Sequence, residues 1–104
     1  MKFCESVEHV TSKIPKGKVA SYGQIAAMIT TVRAARQVGW CLHGLDAKKD
    51  FPWWRVLNSK GYITTTCEDH DYNMQKAYLE KEGVEVTKKD DMWHVDLKKY
   101  LWIS

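Results

Sequence analysis

Few side chains in this sequence could attack an electrophile or hold a metal ion. Three cysteines, Cys4, Cys41 and Cys67, and four histidines, His9, His43, His70 and His94, are scattered over 104 residues. No Cys-x-x-Cys pair exists, and three cysteines without paired spacing predict neither a disulfide framework nor a zinc site. A thiol attacks as its thiolate, which needs a base or a positive field beside it. Cys41 falls on an apolar helical stripe, where burial raises a thiol's pKa, and nothing beside Cys67 resembles an activating base. A different chemistry is offered by Phe51-Pro52-Trp53-Trp54-Arg55-Val56, where two indoles follow a proline and precede a guanidinium. An indole gives an apolar, polarisable wall and a face for a planar ring, although a tryptophan in a small chain is often simply core.

Short amphipathic elements must position these groups. Phe3, Val7, Val10 and Ile14 recur at helical spacing until Pro15, and Pro15-Lys16-Gly17-Lys18 reads as a turn. Ser21 and Gln24 have the spacing of a capping box, so a helix is expected from about Tyr22, with Ile25, Met28 and Ile29 on its apolar face. Thr30-Thr31-Val32 should break it. A second helix is expected from about Arg33 to His43, with Val38, Cys41, Leu42 and Leu45 on one stripe and Gly44 as its C-terminal cap. Two short helices joined by a tight turn outline a helix-turn-helix. Arg55-Val56-Leu57 and Tyr62-Ile63 flank Asn58-Ser59-Lys60-Gly61 and read as a small hairpin. Asp69 to Glu82 reads as a helix ending at Gly83. Val84 to Thr87 and Trp93 to Leu97 suit a second hairpin, or wing, around Lys88-Lys89-Asp90-Asp91. The pattern is that of an α+β, mainly helical, winged helix-turn-helix.

The composition is that of one ordinary globular domain over residues 1–104, with 44% hydrophobic and 28% charged residues. No apolar run approaches membrane-spanning length, and Met1-Lys2-Phe3-Cys4-Glu5 lacks a signal-peptide core, so an intracellular protein without a membrane partner is expected. The net charge of +3 is unevenly spread. Through Lys60 there are ten Lys or Arg against four Asp or Glu, a balance of +6; from Gly61 onward there are six against nine, a balance of −3. A basic front half suggests a face that meets a polyanion.

Four segments, in order and at matching intervals, carry a specific resemblance. They are Ile14-Pro15-Lys16-Gly17-Lys18-Val19, Ser21-Tyr22-Gly23-Gln24-Ile25-Ala26, Ala35-Arg36-Gln37-Val38-Gly39 and Pro52-Trp53-Trp54-Arg55-Val56. Leu79-Glu80-Lys81-Glu82-Gly83 is a weaker fifth. Together, from about Val7 to Glu85, the sequence resembles the DNA-binding domain of the O6-alkylguanine-DNA alkyltransferases, and within that family its alkyltransferase-like branch. The active members carry Pro-Cys-His-Arg-Val, so Trp53 stands at the position of the nucleophilic cysteine and Trp54 at that of the histidine. The large N-terminal domain of many active members has no counterpart in these 104 residues.

The resemblance implies a winged helix-turn-helix of the alkyltransferase C-terminal type. It also implies a non-enzymatic sensor that binds O6-alkylguanine in double-stranded DNA, flips the nucleotide and hands the lesion to nucleotide-excision-repair proteins. Its lesion pocket would be formed by Tyr22, Trp53, Trp54 and Arg55, with Arg36 as the finger that fills the gap left by the flipped base. Ser21, Tyr22, Ala34, Ala35, Arg36 and Gln37 would meet the DNA, the small alanines permitting close approach in the minor groove. Arg55 would support the loop, with Glu82 as its acidic partner. Leu45 replaces an asparagine that orders the loop in active members, and Thr64 to Met74 has no close match to the family's lid. No cofactor or metal is expected, and the protein should be a monomer, cytoplasmic and nucleoid-associated in a bacterium or nuclear in a eukaryote. Two alternatives stay open: a transferase using a displaced cysteine, Cys67 or Cys41, and a winged-helix transcription regulator.

Overall fold

The computed structural model describes residues 2–46, 52–63, 66–67 and 70–103, with side chains described except at 43–46, 66–67 and 70–72. Helix α1 (Phe3–Ser12) buries Val7 and Thr11 and ends ahead of Pro15, with Ile14 buried in the turn that follows. Strand β1 (Ala20–Ser21) leads into helix α2 (Tyr22–Ile29). The predicted capping box is present in both halves: Gln24 N–H donates to Ser21 Oγ at 3.0 Å, and Ser21 N–H donates to Gln24 Oε1 at 3.3 Å. A 3-10 turn (Val32–Ala34), capped by Thr31, precedes helix α3 (Ala35–Asp46). The turn packs close to α2 because position 23 is glycine; a Cβ there would lie 3.0 Å from Val32 Cγ2.

Several boundaries differ from expectation. Helix α3 continues through Gly44 to Asp46, so Gly44 is not its cap. Strand β2 (Val56–Leu57) pairs in parallel with β1, Ala20 opposite Val56 and Ser21 opposite Leu57, rather than with Tyr62-Ile63. The intervening turn does form, closed by Gly61 N–H to Asn58 O at 3.0 Å and Asn58 N–H to Tyr62 O at 3.2 Å. Tyr62 instead bridges His94, which draws this turn onto the wing. Strands β3 (Thr66–Cys67) and β4 (His70–Asp71) form a short antiparallel pair in the segment without a family match. Helix α4 (Tyr72–Lys81) begins later than Asp69 and gives way to a turn at Gly83, whose φ of +88° suits glycine. The wing is β5 (Thr87–Lys89) and β6 (Met92–His94), joined tightly at Asp90-Asp91, both with positive φ. A last short helix, α5 (Leu97–Tyr100), is capped by Asp96.

The β1–β2 ladder divides the core. Ala20 and Val56 face one cluster, with Val7, Ile25, Val38 and Leu42 from the three N-terminal helices. Val19 and Leu57 face the other, with Leu79, Val84 and Val95 from α4 and the wing. Alternation along a strand sends neighbouring side chains to opposite faces, so two short strands serve both clusters. The C-terminal segment closes back on this ladder through Trp102 N–H to Val19 O at 2.7 Å and Gln24 Nε2 to Trp102 O at 2.7 Å.

Cys4 and Cys41 are joined as a disulfide tying α1 to α3, with Cα atoms 5.2 Å apart. This corrects the expectation of no disulfide. The spacing of 37 residues carries no local signal, and only the packing of α1 against α3 brings the thiols together. Among the described residues, no helix is long and apolar enough to cross a membrane.

Candidate nucleic-acid interface

The aromatic loop is a 3-10 turn (Trp53–Arg55) set between Pro52 and β2. Trp53 is half-buried against the first core cluster, which Tyr22 also flanks from the start of α2. Trp53 meets Trp54 edge-on, centroids 6.0 Å apart at 83°, and Tyr78 of α4 edge-on at 6.1 Å. Trp54 lies flat on Tyr78, 4.6 Å between centroids and 22° between planes. Edge contacts on one ring and a stacked pair beside it are the arrangements aromatic quadrupoles favour.

Beneath the rings sits a charged anchor. Arg55 Nη2 donates to Glu82 Oε2 at 2.5 Å and Arg55 Nε to Glu82 Oε1 at 2.9 Å, with side-chain exposures of 14% and 8%. The remaining arm of the guanidinium, Nη1, donates to the Ile14 carbonyl at 2.7 Å. Glu82 also accepts the Trp54 indole N–H at 3.0 Å and the Gly17 N–H at 3.5 Å. One carboxylate therefore ties together the loop, the turn after α1 and the end of α4. Burial pushes the Glu82 carboxyl upward and is the largest single influence. The hydrogen bonds from Arg55 and Trp54, the Arg55 charge and the Gly17 N–H together hold it below its ordinary value. The expected Arg55–Glu82 pair is thus present.

Sequence reasoning missed Gln75. It is buried on α4, and its Nε2 donates to the carbonyls of Trp54 at 3.0 Å and Val56 at 2.9 Å. It holds the loop backbone from below. The available signal was a polar residue one turn before Leu79, on the face that packs inward. The Leu45 side chain lies outside the described residues. So does the Cys67 side chain, and the disulfide removes Cys41 as a displaced nucleophile.

The second group of residues singled out in the sequence lies on α3 and its lead-in. Arg36 and Gln37 are exposed, Ala34 and Ala35 half-buried. Phe3, Thr30, Thr31, Arg33, Ala34 and Gln37 line a groove of about 350 Å³ where α1 meets the α2–α3 turn. Ser21 spends its oxygen on the cap of α2. Its first role is to start that helix and so place Tyr22.

Comparison with known proteins gives this geometry a family. The family model described as 6-O-methylguanine DNA methyltransferase, DNA binding domain, matches residues 2–84. The chain belongs to this family. Within it, the chain is similar over nearly its full length to alkyltransferase-like and base-flipping proteins. The DNA base-flipping protein of Vibrio parahaemolyticus is 41% identical over 101 residues, 97% of this chain and 96% of that protein. Alkyltransferase-like protein 1 of Schizosaccharomyces pombe is 35% identical over 102 residues, 97% and 94% of the two chains. The crystal structure of S. pombe Atl1 in complex with damaged DNA containing O6-carboxymethylguanine superimposes with a TM-score of 0.90 over all of both chains, at 34% identity.

Proposed function

We propose that this chain is a non-enzymatic sensor of O6-alkylguanine in duplex DNA. The observation that carries the reading is a supported loop without a nucleophile. Gln75 holds the backbone of the Pro-Trp-Trp-Arg-Val loop at Trp54 and Val56, and Glu82 and the Ile14 carbonyl hold its Trp54 and Arg55 side chains, while the cysteine position carries an indole. Trp53 walls the lesion pocket with Tyr22, and a flipped purine stacked there gains about 1–3 kcal/mol. Arg36, exposed in the first turn of α3, fills the gap in the duplex and recovers part of the few kcal/mol that extrusion costs. The relatives named for base flipping, and the S. pombe structure with its alkylated guanine, support this. The bound lesion then serves as a mark for nucleotide-excision-repair proteins, since no step on this chain removes the alkyl group.

The test is a titration of O6-methylguanine and unmodified duplexes of the same sequence, with intact-protein mass recorded afterwards. Tighter binding to the lesion and an unchanged mass are expected. Equal affinities would remove the sensor reading, and a gain of one alkyl group would make the protein an enzyme.

A further inference from the structure

Trp40 serves neither the core nor the loop. It is 69% exposed, the most exposed aromatic ring among the described residues. Burying so large a ring gains several kcal/mol at most sites, so an indole left in water on a regular helix has that much to offer a ligand. Its place on α3 indicates which one. Residues on an α-helix turn by about 100° each and rise 1.5 Å. Trp40 therefore stands about 40° round the axis from Arg36 and about 60° from Gln37, roughly 6 Å further along. Val38, Cys41 and Leu42 take the opposite, buried arc, so Trp40 cannot turn inward without displacing them. It sits in the middle of the exposed face that begins with Arg36.

The charge of the surrounding chain suits a polyanion. From His9 to Leu45 there is no Asp or Glu, against Lys13, Lys16, Lys18, Arg33 and Arg36. An uncharged indole in such a setting neutralises no phosphate, but the walls of the minor groove are formed by deoxyribose, whose C–H surface suits an aromatic face. Sugar and phosphate contacts fix a protein on the duplex without reading its sequence.

We propose that Trp40 is a further DNA-contacting side chain, its indole packed against the deoxyribose wall of the minor groove beside the point where Arg36 enters. The proposal rests on the reading of this chain as a duplex-DNA binder and adds a function for a residue which that reading leaves idle. Deoxyribose is the same in damaged and undamaged strands, so the contact strengthens binding to both equally. Arg36 sets the preference between them; Trp40 sets the affinity common to both.

Fluorescence anisotropy with methylated and unmodified duplexes separates these roles. Trp40→Ala should weaken binding to both by a similar factor, about tenfold for the loss of one well-packed ring. The lesion preference and the slope of log affinity against log salt should not change, since no phosphate contact is removed. Trp40→Phe should keep part of the affinity, and the melting temperature of both variants should match wild type because the site is exposed. Wild-type affinity in Trp40→Ala would overturn the proposal; tighter binding would overturn it by showing that the indole obstructs docking. Should wild type bind both duplexes equally, the lesion reading fails, yet the effect of Trp40→Ala on the unmodified duplex still decides this inference.

Discussion

Glu82→Gln is the sharpest perturbation of the site, because one carboxylate receives four donors from two other parts of the chain. The glutamine keeps the shape and one acceptor oxygen. Its NH2 group, however, faces the Arg55 guanidinium in either orientation, together with the Gly17 N–H in one and the Trp54 N–H in the other, and donor then meets donor. The Arg55 charge, only 14% exposed, also loses its counterion. Removing one partner of a largely buried ion pair costs about 3–5 kcal/mol, chiefly through the uncompensated charge left behind. At roughly 4–8 °C per kcal/mol for a domain of this size, the melting temperature should fall by well over 10 °C. Thermal unfolding followed by circular dichroism, with urea titration as a check, measures this. A loss below about 1 kcal/mol would mean that water reaches the pair, and would reduce it to an ordinary surface contact.

The same carboxylate makes a pH prediction with a definite sign. Its folded pKa lies below the ordinary value of 4.5, so folding favours the ionised form. The resulting stability is fully present above pH 4.5 and is lost as the pH falls through the lowered folded value. Wild type should therefore lose stability on acidification below about pH 4.5 more steeply than Glu82→Gln, which has no proton to take up there. Parallel acid-unfolding curves for the two proteins would refute the assignment of that proton to Glu82.

Three further perturbations address the loop and the helix face. Arg36→Ala should weaken lesion binding by roughly 1–3 kcal/mol and dim the signal of a fluorescent base analogue at the lesion; unchanged binding and fluorescence would return Arg36 to the ordinary surface charges. Gln75→Leu should fit the buried space but strip donors from the Trp54 and Val56 carbonyls, destabilising the fold by about 1–3 kcal/mol in urea unfolding, and a neutral result would mean that other donors replace it. Trp53→Cys alone should gain no mass on incubation with a methylated duplex, whereas Trp53→Cys with Trp54→His should, because only the pair supplies both thiol and proton acceptor. Rapid transfer by the single variant would contradict this division of labour.

What was legible in the sequence was local. The capping box at Ser21 and Gln24 involves contacts three residues apart, and both of its hydrogen bonds form. The buried stripe Val38, Cys41 and Leu42 follows from helical period alone. Pairings between distant segments were not legible. Val56-Leu57 could join either its neighbour across the Asn58–Gly61 turn or a strand 36 residues earlier, and period-two alternation is the same for both partners. The Cys4–Cys41 link is non-local in the same way. Gly44 misled because glycine's preference for helix ends is weak beside whatever continues α3 to Asp46. The wing turn tightened to Asp90-Asp91 because aspartate tolerates positive φ, leaving Lys88 and Lys89 to extend β5.

The most instructive position is Trp54, where two roles of one residue come apart. A neutral imidazole has both a donor and an acceptor nitrogen; an indole has the donor alone. At this position the donor is in use, since Trp54 N–H reaches Glu82 at 3.0 Å and helps to fix the loop. The acceptor that would take a proton from a thiol has no counterpart. Tryptophan here thus supplies a donor that shapes the loop and lacks the ring acceptor that could activate a nucleophile. The broader ring is accommodated by Tyr78, stacked on it at 4.6 Å, at an exposed position of α4 that no local pattern singles out. On the proposed reading, reactivity and loop shape are separable because they reside on different atoms: the indole N–H that fixes the loop is present, and a ring acceptor is not.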